Sequence, residues 1–102
     1  MNTDIISEIK IDSQERLCIK PKEEKFTLIY RTATDVHWDN KDYFLYSSKP
    51  KDWTYLEWYK HIINVVKTEC NCKLKLSNET VWENVEEELK TEIVNFTINH
   101  FS

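Results

Sequence analysis

One stretch decides what this chain can fold into. Asp52 to Cys70 reads DWTYLEWYKHIINVVKTEC. Trp53, Leu56, Tyr59, Ile63, Val66 and Cys70 recur at three- and four-residue spacing, and Trp58, Ile62 and Val65 widen that stripe. An apolar arc this broad belongs to a helix laid across a sheet, with little of its circumference left for water. Asp52 can cap it, and Thr54-Tyr55-Leu56-Glu57 fits a capping box. Asn71 follows the stripe and suits a helix C-terminus.

The sheet that the helix needs is written in alternation. Ile9 and Ile11 alternate with Glu8, Lys10 and Asp12, and Leu17 and Ile19 alternate with charged neighbours before Pro21 ends the run. The two form a hairpin around 12–15, with residues 1–4 expected to fray. A third strand is expected over 26–31 and a fourth over 43–47, with the parity of Phe26, Leu28 and Tyr30 carried on to Val36 and Trp38. A bend or bulge is expected at 32–34. Cys72, Leu74 and Leu76 alternate with Lys73 and Lys75, which predicts an edge strand. Ser77 or Asn78 is expected to cap a single helical turn through Trp82. Asn84 with Glu87 is a second capping box, opening a helix whose buried stripe is Leu89, Ile93, Phe96 and His100. The expected fold is α+β: an antiparallel sheet of four or five strands, one long helix packed on a face and a closing C-terminal helix, in a single domain over 1–102.

Composition removes whole classes of function. The chain of 102 residues has no glycine, so a glycine-rich phosphate loop, a dinucleotide fingerprint and the serine-hydrolase nucleophile elbow are all excluded. Each turn that needs positive φ must use Asn, Asp or another residue, with Asn40 the expected case in the 39–42 turn. The net charge of −4 argues against nucleic acid and against a basic membrane-surface helix. Lys20, Lys22 and Lys25 form one small basic patch and Lys49 and Lys51 another, both with acids nearby. No apolar run approaches the roughly 20 residues that span a bilayer. The first residues have neither a basic start nor an apolar core, and the three cysteines suit a reducing compartment, so the expected location is cytoplasmic. Cys70-x-Cys72 lacks the usual zinc spacing and a second pair, so no metal or other cofactor is expected.

Two constellations remain. On a strand, Asp35, His37 and Asp39 would share one face while Val36 and Trp38 turn inward, which offers either an acid–base or metal group or simply a solvated sheet face. The aromatic residues of the helix cannot all face inward. Tyr55 lies opposite the stripe, and Tyr55, Trp58 and Glu57 form a candidate surface for a protein partner. The leading reading is a non-enzymatic binding protein, in the manner of an acidic inhibitor or immunity-type protein. A homodimer through the same patch is a further outcome. The alternative is a small-molecule or enzymatic pocket between sheet and helix, lined by Tyr30, Trp38 and Tyr46 with Asp35 and His37 at its rim.

Arg16-Leu17-Cys18-Ile19-x-Pro21, Tyr30-Arg31, Val36-x-Trp38-Asp39, Leu45-Tyr46-Ser47, Trp53-x-Tyr55 with Trp58-Tyr59, and Val81-Trp82-x-Asn84 make a pattern over about residues 16–93. It resembles small bacterial proteins without an assigned activity, of the kind carried on mobile gene cassettes. The resemblance implies a bacterial, single-domain accessory protein and transfers no functional residue.

Overall fold

The computed structural model describes residues 2–31, 35–47 and 52–101, with backbone alone at 99–101. The chain runs β1 (Asn2–Ile11), β2 (Leu17–Pro21), a 3-10 turn (Ile29–Arg31), β3 (Val36–Asp39), β4 (Phe44–Ser47), α1 (Tyr55–Glu69), β5 (Cys72–Lys75), β6 (Val81–Glu83) and α2 (Glu87–Phe101). The fold is α+β as expected, but the sheet is mixed. Its order is β3-β4-β2-β1-β5, with β6 also on β1. The β1–β2, β2–β4 and β3–β4 pairs are antiparallel, whereas β5 and β6 both run parallel to β1.

The long strand β1 organises the sheet. Its residues 2–5 pair with β5 and its residues 8–10 with β6, so two short strands lie end to end along one edge. The expected fraying of residues 1–4 is therefore overturned for 2–4, which are paired in the sheet. Between the two short strands the Ile6 carbonyl is reached by a side chain: Thr80 Oγ1 donates to it at 2.7 Å. A register shift between Ile6 and Glu8 marks a bulge at Ser7. Without it, Ile6 and Ile9 would point to opposite faces. The extra residue restores the phase, and both are fully buried in the core.

Helix α1 begins at Tyr55, two residues after the apolar pattern does. Thr54 is its N-cap and accepts from the Glu57 backbone N–H at 3.2 Å. It buries Trp58, Tyr59, Ile62, Ile63 and Val66, each such side chain stabilising the fold by about 1.5–3 kcal/mol when taken from water. Asn71, at φ 53°, follows its C-cap as expected. Tyr59 reaches across to α2. The Thr97 hydroxyl donates to Ile93 O at 2.9 Å, so at the 2.8 Å Tyr59–Thr97 contact it is Tyr59 that donates. Of the α2 stripe, Ile93 is buried and Leu89 and Phe96 pack against the core, while the His100 side chain lies outside the described residues.

Four further expectations are corrected. Residues 26–31 are not a strand: Phe26 and Ile29 are buried three residues apart, with Ile29 N bonded to Phe26 O, so period three replaces period two. The segment 77–82 holds no helical turn. It crosses back to β1 as a loop and β6. Asn84 does not cap α2. It sits at φ 56° and donates from Nδ2 to Ile11 O at 3.1 Å, and the helix opens at Glu87. In the 39–42 turn the left-handed residue is Tyr43, at φ 62°, in place of Asn40. The expected bend at 32–34 and the basic patch of Lys49 and Lys51 lie outside the described residues.

Candidate functional site

A cleft of about 440 Å³ opens where three chain ends meet: the β1–β2 turn, the first turn of α1 and the first turns of α2. Asp12 builds the first of these. Its Oδ1 accepts from Gln14 N and Arg16 N, both at 2.9 Å, and its Oδ2 receives Arg16 Nε at 2.8 Å and Nη2 at 2.7 Å. Partial burial pushes the Asp12 carboxyl up. The hydrogen bonds from Arg16 and Gln14, with the Arg16 charge, outweigh that and hold it below the usual carboxylate range. This clamp sets Glu15 at φ 61°, and the Tyr55 hydroxyl donates to the Glu15 carbonyl at 3.0 Å. Turn and helix are thereby tied together with Tyr55 in the cleft wall.

The lining carries four carboxylates, Asp12, Glu15, Glu86 and Glu92, and no lysine or arginine. The N-termini of α1 and α2 both border the cleft. Their partial positive charge offsets the mutual repulsion of the acids. Among the described residues no group of three or more His, Cys, Asp or Glu side chains is placed to hold a metal ion.

The residues singled out from sequence are divided. Tyr55 lines the cleft, whereas Glu57, two residues on, is exposed on a different side of α1 and is not part of the lining. Trp58 is only 8% exposed, buried at the edge of the α1 core arc, with Trp53 packed against it at 4.8 Å. Trp53 precedes the helix and folds over its flank, so it is the ring left in solvent, at 42%. The indole N–H of Trp58 has no hydrogen-bond partner among the described residues.

The five residues of the alternative pocket are not brought together. His37 and Tyr46 pair across β3 and β4, with rings 5.2 Å apart, and Arg16 lies 4.3 Å over Tyr46. Trp38 has the opposite parity on β3 and meets Phe26 edge-on at 5.9 Å, on the core side of the sheet. Tyr30 is 59% exposed on the 3-10 turn, beside Arg31. Asp35 is an exposed residue at φ 61° before β3 begins, so it does not share a strand face with His37 and Asp39.

The thiols are poor nucleophiles. Burial, then the Asp12 carboxylate, pushes Cys18 up to about 12. Burial, with Glu24 and Asp4, pushes Cys72 up to about 11, and burial beside Glu69 raises Cys70 as well. Sequence reasoning missed Asp12, Glu15, Glu86 and Glu92 as companions of Tyr55. The spacing Glu86-x-x-Leu89-x-x-Glu92, which places all three along one side of a helix, was the available signal.

The family model for the integron cassette protein Hfx_Cass5 matches residues 4–80. The solved structure of an integron cassette protein Hfx_Cass5, from the mobile metagenome of the North West Arm sewage outfall, is 33% identical. The match covers 96% of this chain and 98% of that one, with a TM-score of 0.49. None of the curated proteins matches the chain. No helix among the described residues is long and apolar enough to cross a membrane.

Proposed function

This chain belongs to the integron cassette protein family Hfx_Cass5, and from that premise we propose that it is a non-enzymatic binding protein whose acidic cleft receives a lysine- or arginine-rich segment of a protein partner. The observation that carries this reading is the cleft lining: the carboxylates of Glu15, Glu86 and Glu92 beside the Arg16-paired Asp12, an aromatic wall at Tyr55 and no lysine or arginine in the lining. A net charge of −4 favours encounter with a basic surface, and the cleft gives that attraction a shape. The Asp12–Arg16 clamp and the Tyr55–Glu15 hydrogen bond hold the walls in place before binding, which reduces the entropy lost in the complex. An acidic inhibitor or immunity-type protein works in this way, by covering a basic patch that its partner needs. Three thiols held protonated by burial support the non-enzymatic part of the reading.

The test is calorimetric titration with a short oligoarginine peptide. Binding is expected to weaken as salt rises and to fall about tenfold in the Glu86→Gln/Glu92→Gln double variant. A Glu69→Gln/Glu79→Gln variant removes the same charge away from the cleft and is expected to bind as the unaltered chain does. Equal losses in both variants would mean diffuse charge attraction and would sink the proposal.

A further inference from the structure

Helix α2 borders a second cleft on its neighbouring face, and this one has the opposite character. It measures about 590 Å³, within the size range of small-molecule sites, and lies between α2 and the β5–β6 segment. Trp82, Val94 and Ile98 form its apolar wall. Ile98 is 58% exposed, an apolar side chain that the fold itself does not cover.

The polar groups at the back of the cleft are already spent on the protein. Thr80 Oγ1 donates to Ile6 O and accepts from Ser77 N at 3.0 Å. Thr97 Oγ1 donates to Ile93 O and accepts from Tyr59. Neither hydroxyl is left without a protein partner, so neither needs a water in the cleft to satisfy it. The charged groups that line it are Lys75 and Lys90, and no carboxylate does so. Lys75 is exposed at the end of β5, and the Lys90 ammonium lies 5.5 Å over the Trp82 ring. Neither makes an ion pair among the described residues. In a chain with net charge −4, a cleft lined by two cations and no anion is a local inversion of the surface.

We infer that this cleft binds a small amphipathic carboxylate, its apolar body against Trp82, Val94 and Ile98 and its charged end at Lys75 and Lys90. The apolar wall supplies affinity in proportion to the area it covers. The two ammonium groups distinguish an anion from a neutral molecule of the same length through charge-assisted hydrogen bonds. The inference is independent of the acidic cleft, since none of the lining residues is shared.

Amide and indole NMR shifts test it, followed during titration with sodium decanoate below its critical micelle concentration. Decanol and decyltrimethylammonium serve as the neutral and cationic equivalents. Decanoate is expected to move the Trp82 indole and the Val94 and Ile98 amides, and to bind about tenfold more tightly than decanol. The Lys75→Gln/Lys90→Gln variant, which alters side chains outside the core, is expected to keep the native spectrum and reduce decanoate to the affinity of decanol. Decanol or the cation binding as well as decanoate would overturn the inference. So would shifts centred away from Trp82, an unchanged preference in the double variant, or no decanoate binding at millimolar concentration.

Discussion

Thr80 is the residue on which the sheet is joined. Where β5 ends and β6 has not begun, the Ile6 carbonyl would face a gap along the sheet edge with no strand to bond. The Thr80 hydroxyl fills that gap at 2.7 Å while accepting from Ser77 N. Thr80→Val keeps the shape and removes both bonds. It is expected to cost about 1–3 kcal/mol, seen as a lower urea midpoint at unchanged slope, whereas Thr80→Ser stays close to the original. Equal midpoints for the Val and Ser variants would contradict this role. Among the described residues, five backbone positions occupy the left-handed region without glycine: Glu15, Asp35, Tyr43, Asn71 and Asn84. The lack of glycine meant that any such position had to use another residue. Only at Asn71 did the residue type also indicate the place, because a helix ends there. Glu15 and Tyr43 carry no local signal. Their conformation is imposed by the Asp12 clamp and by Tyr43 N bonding back to Asp39 O at 2.8 Å.

At the scale of elements, the β1–β2 turn is where charge and folding meet. Asp12 is held below its ordinary value in the folded chain. Between the folded and unfolded values the unfolded chain therefore binds more protons. The stability from the Asp12 carboxylate is complete well above the unfolded value of 3.8 and is lost as pH falls through the lower, folded one. Asp12→Asn is expected to cost about 1 kcal/mol near neutral pH, a modest figure for a partly exposed pair. The difference from the original chain should close on acidification below that value, followed by denaturant unfolding across pH. A gap of constant size would show that Asp12 acts through its hydrogen bonds alone. Elements with dense local periodicity were legible: α1, the hairpin and α2 lie where the apolar spacing puts them. Elements decided by distant partners were not. A bulge at Ser7 is invisible to a parity rule, which assumes one residue per step. The pairing of β6 with β1 spans most of the chain, and Val81-Trp82-Glu83 carries too few residues to show a period. Phe26 and Ile29 were misassigned because a two-residue reading of Phe26, Leu28 and Tyr30 fitted the same letters.

For the whole molecule, the account rests on how charge is distributed around α2. One face of that helix borders a cleft of carboxylates with Tyr55 in its wall. The neighbouring face borders an apolar cleft with two lysines. Net charge, read from composition, indicated an acidic binding surface in general. Tyr55, read as opposing the core stripe of α1, lines the carboxylate cleft while also packing against the core, so its surroundings could be read from the helix only in part. Those of Trp58 could not be, since whether a ring at the edge of a stripe is covered depends on Trp53, outside the helix. The carboxylates that accompany Tyr55 come from turns and helix starts far apart in sequence, and only the fold assembles them. The most direct measurement is an amide NMR map of oligoarginine binding to the intact chain. The account predicts that shifts concentrate on Glu15, Tyr55, Leu89 and Glu92, and leave Trp82 and Ile98 unmoved. Shifts spread evenly over the acidic surface, or centred on the His37–Tyr46 face of the sheet, would contradict it.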